Sequence, residues 1–209
     1  MPSKSLKHLK FLFTYFSKFG EVSPGLQNMI FSESSSKQFA RGNIFDCNEN
    51  ENPNIYFIVR GSVRGFVEVD TRDITTWFSI ENSIVGLTNI VNKVESERRH
   101  YIQALEKTEV IIIPYKLIMS LFTQHHPMFM IGRNLLWHHY MELDERNILA
   151  RLPTAEKRFK RLLETHPYIL DRIALKYLSS FLCMRLETLS RIKTKLSKAT
   201  VKNIPEKTN

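Results

Sequence analysis

Between Leu175 and Leu196 the chain reads LKYLSSFLCMRLETLSRIKTKL, and the second half of that stretch collects side chains suited to reading a nucleic-acid groove. Glu187, Thr188, Ser190, Arg191, Lys193, Thr194 and Lys195 interleave with Leu186, Leu189, Ile192 and Leu196, whose spacing puts the four apolar residues on one stripe of a helix. A guanidinium donates two bonds to guanine O6 and N7, a carboxylate accepts from cytosine N4, and hydroxyls serve either base. An apolar back and a cationic, hydrogen-bonding front suit a helix that packs on its own domain and meets base edges in front. Upstream, Leu175, Leu178, Phe181 and Leu182 also fall at helical spacing, and Ser179 is small enough for a second helix to cross closely. Cys183-Met184-Arg185 must then supply a turn. An ordinary amphipathic hairpin with a solvated charged face has the same pattern, so spacing alone leaves both readings open.

Charge placement separates them. The 209 residues carry a net +9. Residues 151–209 hold 14 Lys+Arg against 5 Asp+Glu, whereas residues 1–150 hold 16 of each. The whole excess surrounds the two-helix stretch, as expected of a protein whose C-terminal part meets a polyanion. A basic domain kept soluble by its charge, or one touching acidic lipid, is the competing explanation. No long basic amphipathic segment with a Trp or Phe face occurs there, which disfavours the membrane.

Other constellations are weaker. His138, Glu142 and Glu145 fall four and three residues apart on one helical face beside His139, and two such ligands can hold a metal. No HExxH, nucleophile elbow or phosphate-cradling glycine loop accompanies them, and ion pairing with Arg146 explains the same residues. Neither a metal, a cofactor nor an enzymatic activity is expected. Two distant cysteines, Cys47 and Cys183, exclude a disulfide framework, a four-cysteine cluster and a zinc ribbon. They fit a reducing cytosol. The apolar run Phe11 to Phe16 is too short for a signal peptide and no run approaches a membrane span, so a cytoplasmic protein is expected.

The elements that must position the stretch come in three blocks. Residues 4–31 read as helical, with Leu6, Leu9, Phe13 and Phe16 on one stripe, a stop at Gly20 and a new start near Ser23-Pro24. Glu33 to Lys37 is polar and Ser-rich and reads as a loop. From Lys37 to Pro114 short β-type runs replace helical spacing, with turns at Gly61-Ser62, Asp70 to Asp73 and Glu81 to Ser83. Within them Ile74, Thr76, Phe78 and Ile80 alternate with Thr75, Trp77 and Ser79. Many short strands at near-regular spacing predict a sandwich or jelly roll. After Pro114 the helical period returns: Tyr115–Gln124, then a long helix from Pro127 to about Leu152. Met130, Trp137, Met141, Ile148 and Leu152 form a heptad-like seam on it, widened by Phe129, Leu136, Tyr140 and Leu143. That apolar face is broader than one packing surface needs. Burial on the β domain and against a partner copy would use both sides. Thr154–His166 is predicted as the next helix, and Ser197 to Asn209 as a polar, fraying end.

This order of β-roll, long helix and two-helix stretch resembles the Crp–Fnr family of transcription regulators, the cyclic-AMP receptor protein and its relatives. The likeness runs through YFIVRGSVRGFVEVDTRDITTWFSIENSIVG at 56–86, ALEKTEVIIIP at 104–114, RLLETHPYILDRIALKYLSSFL at 161–182 and ETLSRI at 187–192, and is similar to the branch common in Bacteroidetes-type bacteria. It implies an α+β chain in three parts: residues 1–126 a β-roll (jelly-roll) sensor domain of the cyclic-nucleotide-binding type, 127–152 a dimerisation helix, and 153–209 a helix-turn-helix domain. It implies a homodimer reading a two-fold operator in double-stranded DNA, with RNA polymerase and a small-molecule effector as further partners. Glu187, Thr188 and Arg191 would contact bases or phosphates, joined by Arg185, Ser190, Lys193 and Lys195, while Met130, Trp137, Met141 and Ile148 would form the dimer seam.

The chain departs from that family in three places. A phosphate-binding cassette needs Gly-Glu on one strand for the ribose hydroxyl and Arg-Ser/Thr on a later one for the cyclic phosphate. Here Leu87 follows Gly86, and Arg99 follows Arg98. A site without its ribose acceptor leaves a polar group unpaired at a cost of ~1–3 kcal/mol, which argues against cyclic AMP as a tight ligand. Cys183 stands where the turn usually has glycine. Lys198 to Asn209 lacks the alternating strands of a β-hairpin wing, so fewer phosphate contacts are expected. The altered turn and missing wing also motivate a different class of function, a ligand- or protein-binding sensor whose DNA binding has decayed.

Overall fold

The computed structural model describes residues 6–47, 53–86 and 100–202. The chain forms two compact units, Met1–Met141 and Glu142–Asn209.

Unit 1 opens with α1 (Leu6–Phe16) and α2 (Pro24–Glu33). Ser23 caps α2 by accepting from the Leu26 amide at 3.4 Å, with Pro24 at the first helical position where its missing N–H is not needed. Among the described residues eight strands follow: β1 (Ser35–Phe39), β2 (Ile44–Cys47), β3 (Asn54–Arg60), β4 (Val63–Val69), β5 (Arg72–Ser79), β6 (Ser83–Val85), β7 (His100–Ala104) and β8 (Thr108–Pro114). They make two four-stranded sheets, ordered β1-β8-β3-β6 and β2-β7-β4-β5, with every recorded pairing antiparallel. Two helices complete the unit's run: α3 (Tyr115–Gln124) and the first part of α4 (His126–Arg151).

Side-chain alternation in the first sheet explains its two-sided burial. On β3, Tyr56 and Ile58 join Val63, Ile102, Ala104 and Val110 between the sheets. Ile55 and Phe57 point the other way and meet Leu12 and Phe16 of α1, Leu117 and Leu121 of α3, and Ile131 and Leu135 of α4. Burying both faces of one strand accounts for its nearly continuous apolar run.

Three local expectations are corrected. Ser35, Ser36 and Lys37 form β1 rather than a loop, because they pair with Ile112, Ile111 and Val110 of β8 at the sheet edge, where polar side chains are tolerated. On β5 the apolar set is not the buried one. Ile74 is 40% exposed, whereas Thr75 is 3% exposed. The cause lies on β4, where Arg64, only 2% exposed, donates to Asp73 Oδ1 (2.9 Å) and Oδ2 (2.7 Å), Thr75 Oγ1 (2.9 Å) and Gln103 Oε1 (2.8 Å). A buried guanidinium requires such partners, and Thr75 and Asp73 face it from β5 for that reason. Third, the chain after Ser197 does not fray at once. The last helix continues to Lys202.

Unit 2 contains the end of α4, then α5 (Ala155–Thr165), α6 (Ile169–Arg172), α7 (Leu175–Phe181) and α8 (Leu186–Lys202). Thr154 caps α5 by accepting from the Lys157 amide at 3.2 Å. Among the described residues its buried apolar side chains are Leu149, Phe159, Leu162, Ile173, Leu178, Leu182 and Leu189, supplied by α4, α5, α7, α8 and the connections at Ile173 and Leu182.

Candidate nucleic-acid interface

The predicted two-helix stretch is present as α7 and α8, joined through Cys183-Met184-Arg185. Leu178, Leu182 and Leu189 are fully buried and Ser179 is 5% exposed, so the small residue does sit inside the packing of α7 with α8. The turn closes α7 with two backbone bonds, Met184 N–H to Ser179 C=O (3.0 Å) and Cys183 N–H to Ser180 C=O (3.1 Å). That pair is a Schellman cap, which requires a left-handed residue, and Cys183 takes φ +52°. Its thiol is exposed.

Arg158 of α5 completes the turn. Its Nε donates to Leu182 C=O at 2.8 Å and its Nη1 to Leu152 C=O at 2.9 Å, at the end of α4. Carbonyls at helix C-termini lack intrahelical donors, and a cation there also meets the negative end of the helix dipole. Sequence reasoning missed Arg158, since an arginine beside an amphipathic stripe gives no signal of which carbonyls it will reach.

On α8 the stripe holds in part. Leu189 is buried, Ile192 and Leu196 are half-buried, but Leu186 is 42% exposed and does not belong to the core. It stands in the first turn, before the helix reaches the shelter of α7. Arg185, Glu187, Ser190 and Arg191 are exposed, and Thr188 and Lys193 are half-buried. Arg191 is four residues beyond Glu187, yet makes no ion pair among the described residues. Lys195 differs, being held at 3.0 Å by Glu156 of α5, which also pairs with Lys160 at 2.9 Å. Those two ammonium groups hold the Glu156 carboxyl below its ordinary pKa. Glu187 lies in the first turn of α8, favourable at the positive end of the helix dipole.

The remaining predicted residues are dispersed. On α4, Trp137 is 66%, Met141 50% and Ile148 48% exposed, while Met130 is half-buried. Phe129, Leu136, Tyr140 and Leu143 are exposed as well, and the buried residues of α4 are Met128, Ile131, Leu135 and Leu149. The metal-type constellation does not converge. His139 Nδ1 lies 2.9 Å from Leu135 O and Nε2 3.2 Å from Ile84 O, the His138 ring packs edge-on to Phe19, and Glu145 binds Arg161 at 2.7 Å. Among the described residues no group of three or more His, Cys, Asp or Glu is placed to hold a metal. No described helix is long and apolar enough to cross a membrane. Gly86 adopts φ +102°, and a Cβ there would stand 2.6 Å from Asn54 O, so both backbone conformation and space require glycine. Leu87, Arg98 and Arg99 lie outside the described residues.

No family model and no curated protein matches this sequence. Solved structures do match in shape. A protein from Eubacterium rectale assigned to the Crp/Fnr family of transcriptional regulators is similar over 89% of this chain and 88% of its own, at TM-score 0.69 and 15% identity. The c-di-GMP responsive global regulator CLP of Xanthomonas campestris is similar over 85% and 93%, at TM-score 0.63 and 16% identity. FixK2 from Bradyrhizobium japonicum is similar over 80% and 86%, at TM-score 0.64 and 18% identity. Identities this low carry the architecture and not the activity. The chain therefore shares the fold of solved Crp/Fnr-type proteins, a mixed structure whose antiparallel sheets precede a long helix and a helical C-terminal unit.

Proposed function

We propose that this chain is a DNA-binding transcription regulator of the Crp–Fnr type that reads a two-fold site as a homodimer. The observation that carries the reading is Arg191: exposed and without an ion-pair partner among the described residues, on a helix whose opposite side is anchored by Leu189. It lies in the unit, residues 142–209, that carries 15 Lys+Arg against 8 Asp+Glu, most of the chain's net +9. Arg185, Glu187, Thr188, Ser190 and Lys193 would share the groove with it, and Lys195 would contribute less because Glu156 already engages it. The exposed apolar residues of α4 support a helix-to-helix dimer through Trp137, Met141 and Ile148, with Met130 at its edge. The three-part division at 126/127 and 152/153 belongs to the same reading, with α4 as the shared helix. Cyclic AMP is not its ligand on this view, since Leu87 and Arg99 replace the residues a cassette needs.

The experiment is selection of bound fragments from a random DNA pool, followed by binding across a salt series. A two-fold site with half-sites about 34 Å apart or a multiple of it is expected, with log affinity falling linearly in log salt. Arg191→Ala should cost ~1–3 kcal/mol and relax preference at one base pair of each half-site. Unchanged discrimination between selected and random DNA would remove the groove assignment. A second reading, a ligand- or protein-binding sensor with decayed DNA binding, draws on α8 continuing as helix to Lys202 where a wing would follow. Absence of any shift at low salt, together with thermal stabilisation by a metabolite, would favour it.

A further inference from the structure

Unit 1 contains a cavity of about 390 Å³ that the proposed DNA reading leaves unused. It lies on the helix-covered side of the first sheet, between α3 and α4. Ile55, Ile84 and Ile113 of the sheet and Ile131 of α4 line it, each no more than 3% exposed. Its exposed lining consists of Met119, Phe129, Leu136 and Arg133. Arg133 is the one charged side chain on the lining among the described residues, and it makes no hydrogen bond or ion pair among them. Gly132 brings the α4 backbone against Phe122, whose ring tip would stand 2.4 Å from a Cβ at that position. The wall is thus set by packing and not by a loose side chain.

The volume falls in the range of small-molecule sites. Walls of isoleucine and phenylalanine give water almost no hydrogen-bond partners, so such a space stays dry or takes a hydrocarbon. At about 30 Å³ per heavy atom, the share a water molecule occupies in the liquid, the cavity holds roughly a dozen heavy atoms. Arg133, exposed at the rim, is the cation beside which the head of a ligand with its chain inside would emerge, and a carboxylate head matches the planar fork of a guanidinium. We propose that this cavity binds a medium-chain carboxylate, its alkyl chain against Ile55, Ile113 and Ile131 and its head on Arg133. The proposal does not rest on DNA binding, and its test contains no DNA.

The test is calorimetry on the full, delipidated chain with decanoate, butyrate and decanol. Decanoate should bind one per chain and raise the melting temperature. Each two-carbon shortening should weaken binding roughly tenfold, leaving butyrate undetected. Arg133→Gln, a change at an exposed side chain, should weaken decanoate at least fivefold and leave decanol unaltered. Ile118→Phe, which fills the lining, should abolish both. Equal affinity of decanoate and decanol, or indifference to Arg133→Gln, overturns the anionic head. No saturable binding by either overturns the cavity as a ligand site. Should decanoate bind only after Trp137→Asp, a second copy of the chain covers the opening, and the proposal falls for the protein as it exists.

Discussion

Cys183 sits in a backbone conformation that glycine adopts without strain. At φ +52° its Cβ crowds the neighbouring carbonyl, at a cost of roughly 1–2 kcal/mol, partly offset because glycine loses more chain entropy on folding. Cys183→Gly should therefore stabilise unit 2 by about 0.5–1 kcal/mol in chemical denaturation and leave the α7–α8 geometry unchanged. A destabilised variant would mean that the exposed thiol's long bond to Phe181 C=O, at 3.9 Å, outweighs the backbone strain. Arg158 acts in the opposite sense. Charge-assisted bonds to Leu182 and Leu152 carbonyls are each stronger than neutral ones, and neither acceptor has an alternative donor within its helix. Arg158→Met keeps much of the stem's packing and removes the donors, so a loss of ~1.5–3 kcal/mol is expected, with DNA affinity falling as the turn loosens. If stability is unchanged, those carbonyls are satisfied by water.

At the scale of elements, an ion pair ties the end of α4 to α5. Arg161 Nε donates to Glu145 Oε1 at 2.7 Å, and this hydrogen bond holds the Glu145 carboxyl below its ordinary range, with the charge of Arg161 adding to it and burial opposing. A carboxyl with a depressed folded pKa contributes stability that is present above its unfolded value of about 4.3 and is lost as pH falls through the lower folded value. Glu145→Gln should lower the stability of unit 2 slightly at neutral pH and converge on the parent at acid pH, flattening that acid limb of the stability curve. The effect is small, because both side chains are more than a third exposed and solvent screens them. Melting curves at pH 7 and pH 3 for both proteins measure it. Element by element, the sequence was most informative where one force acted alone. Apolar periodicity located α3 over Tyr115–Gln124 and placed α4 within a residue of its observed bounds. It failed where a long-range partner decides. The Ser-rich β1 exists because β8 offers it a ladder, and β5 turns Thr75 inward because Arg64 on the neighbouring strand needs acceptors. The candidate interface was legible because Leu189 fixes which side of α8 is hidden, whereas Arg158, Leu186 and the Glu156–Lys195 pair depend on contacts with other helices that spacing does not encode.

For the molecule as a whole, the two ends of the chain differ in charge and α4 belongs to both units. The first 150 residues are electrically balanced, so they add no sustained repulsion when two copies approach. The exposed side chains Leu136, Trp137, Tyr140 and Met141 form an apolar surface on α4 that water covers in a single copy. On the proposed reading, pairing two such helices would desolvate that surface and each copy would present one α8 to its own half-site. Trp137 is 66% exposed, so replacing it should not disturb the fold of either unit. Trp137→Asp places a charge in the middle of the proposed seam. The expected result is a monomer by sedimentation velocity with an unchanged circular dichroism spectrum. On a selected two-fold DNA, the variant should bind with roughly half the salt slope of the parent, because one half-site's phosphate contacts release half the counterions. A Trp137→Asp protein that stays dimeric would move the seam off α4. One that becomes monomeric yet keeps the parent's salt slope would show that each copy grips DNA alone, and the two-fold reading would have to be given up.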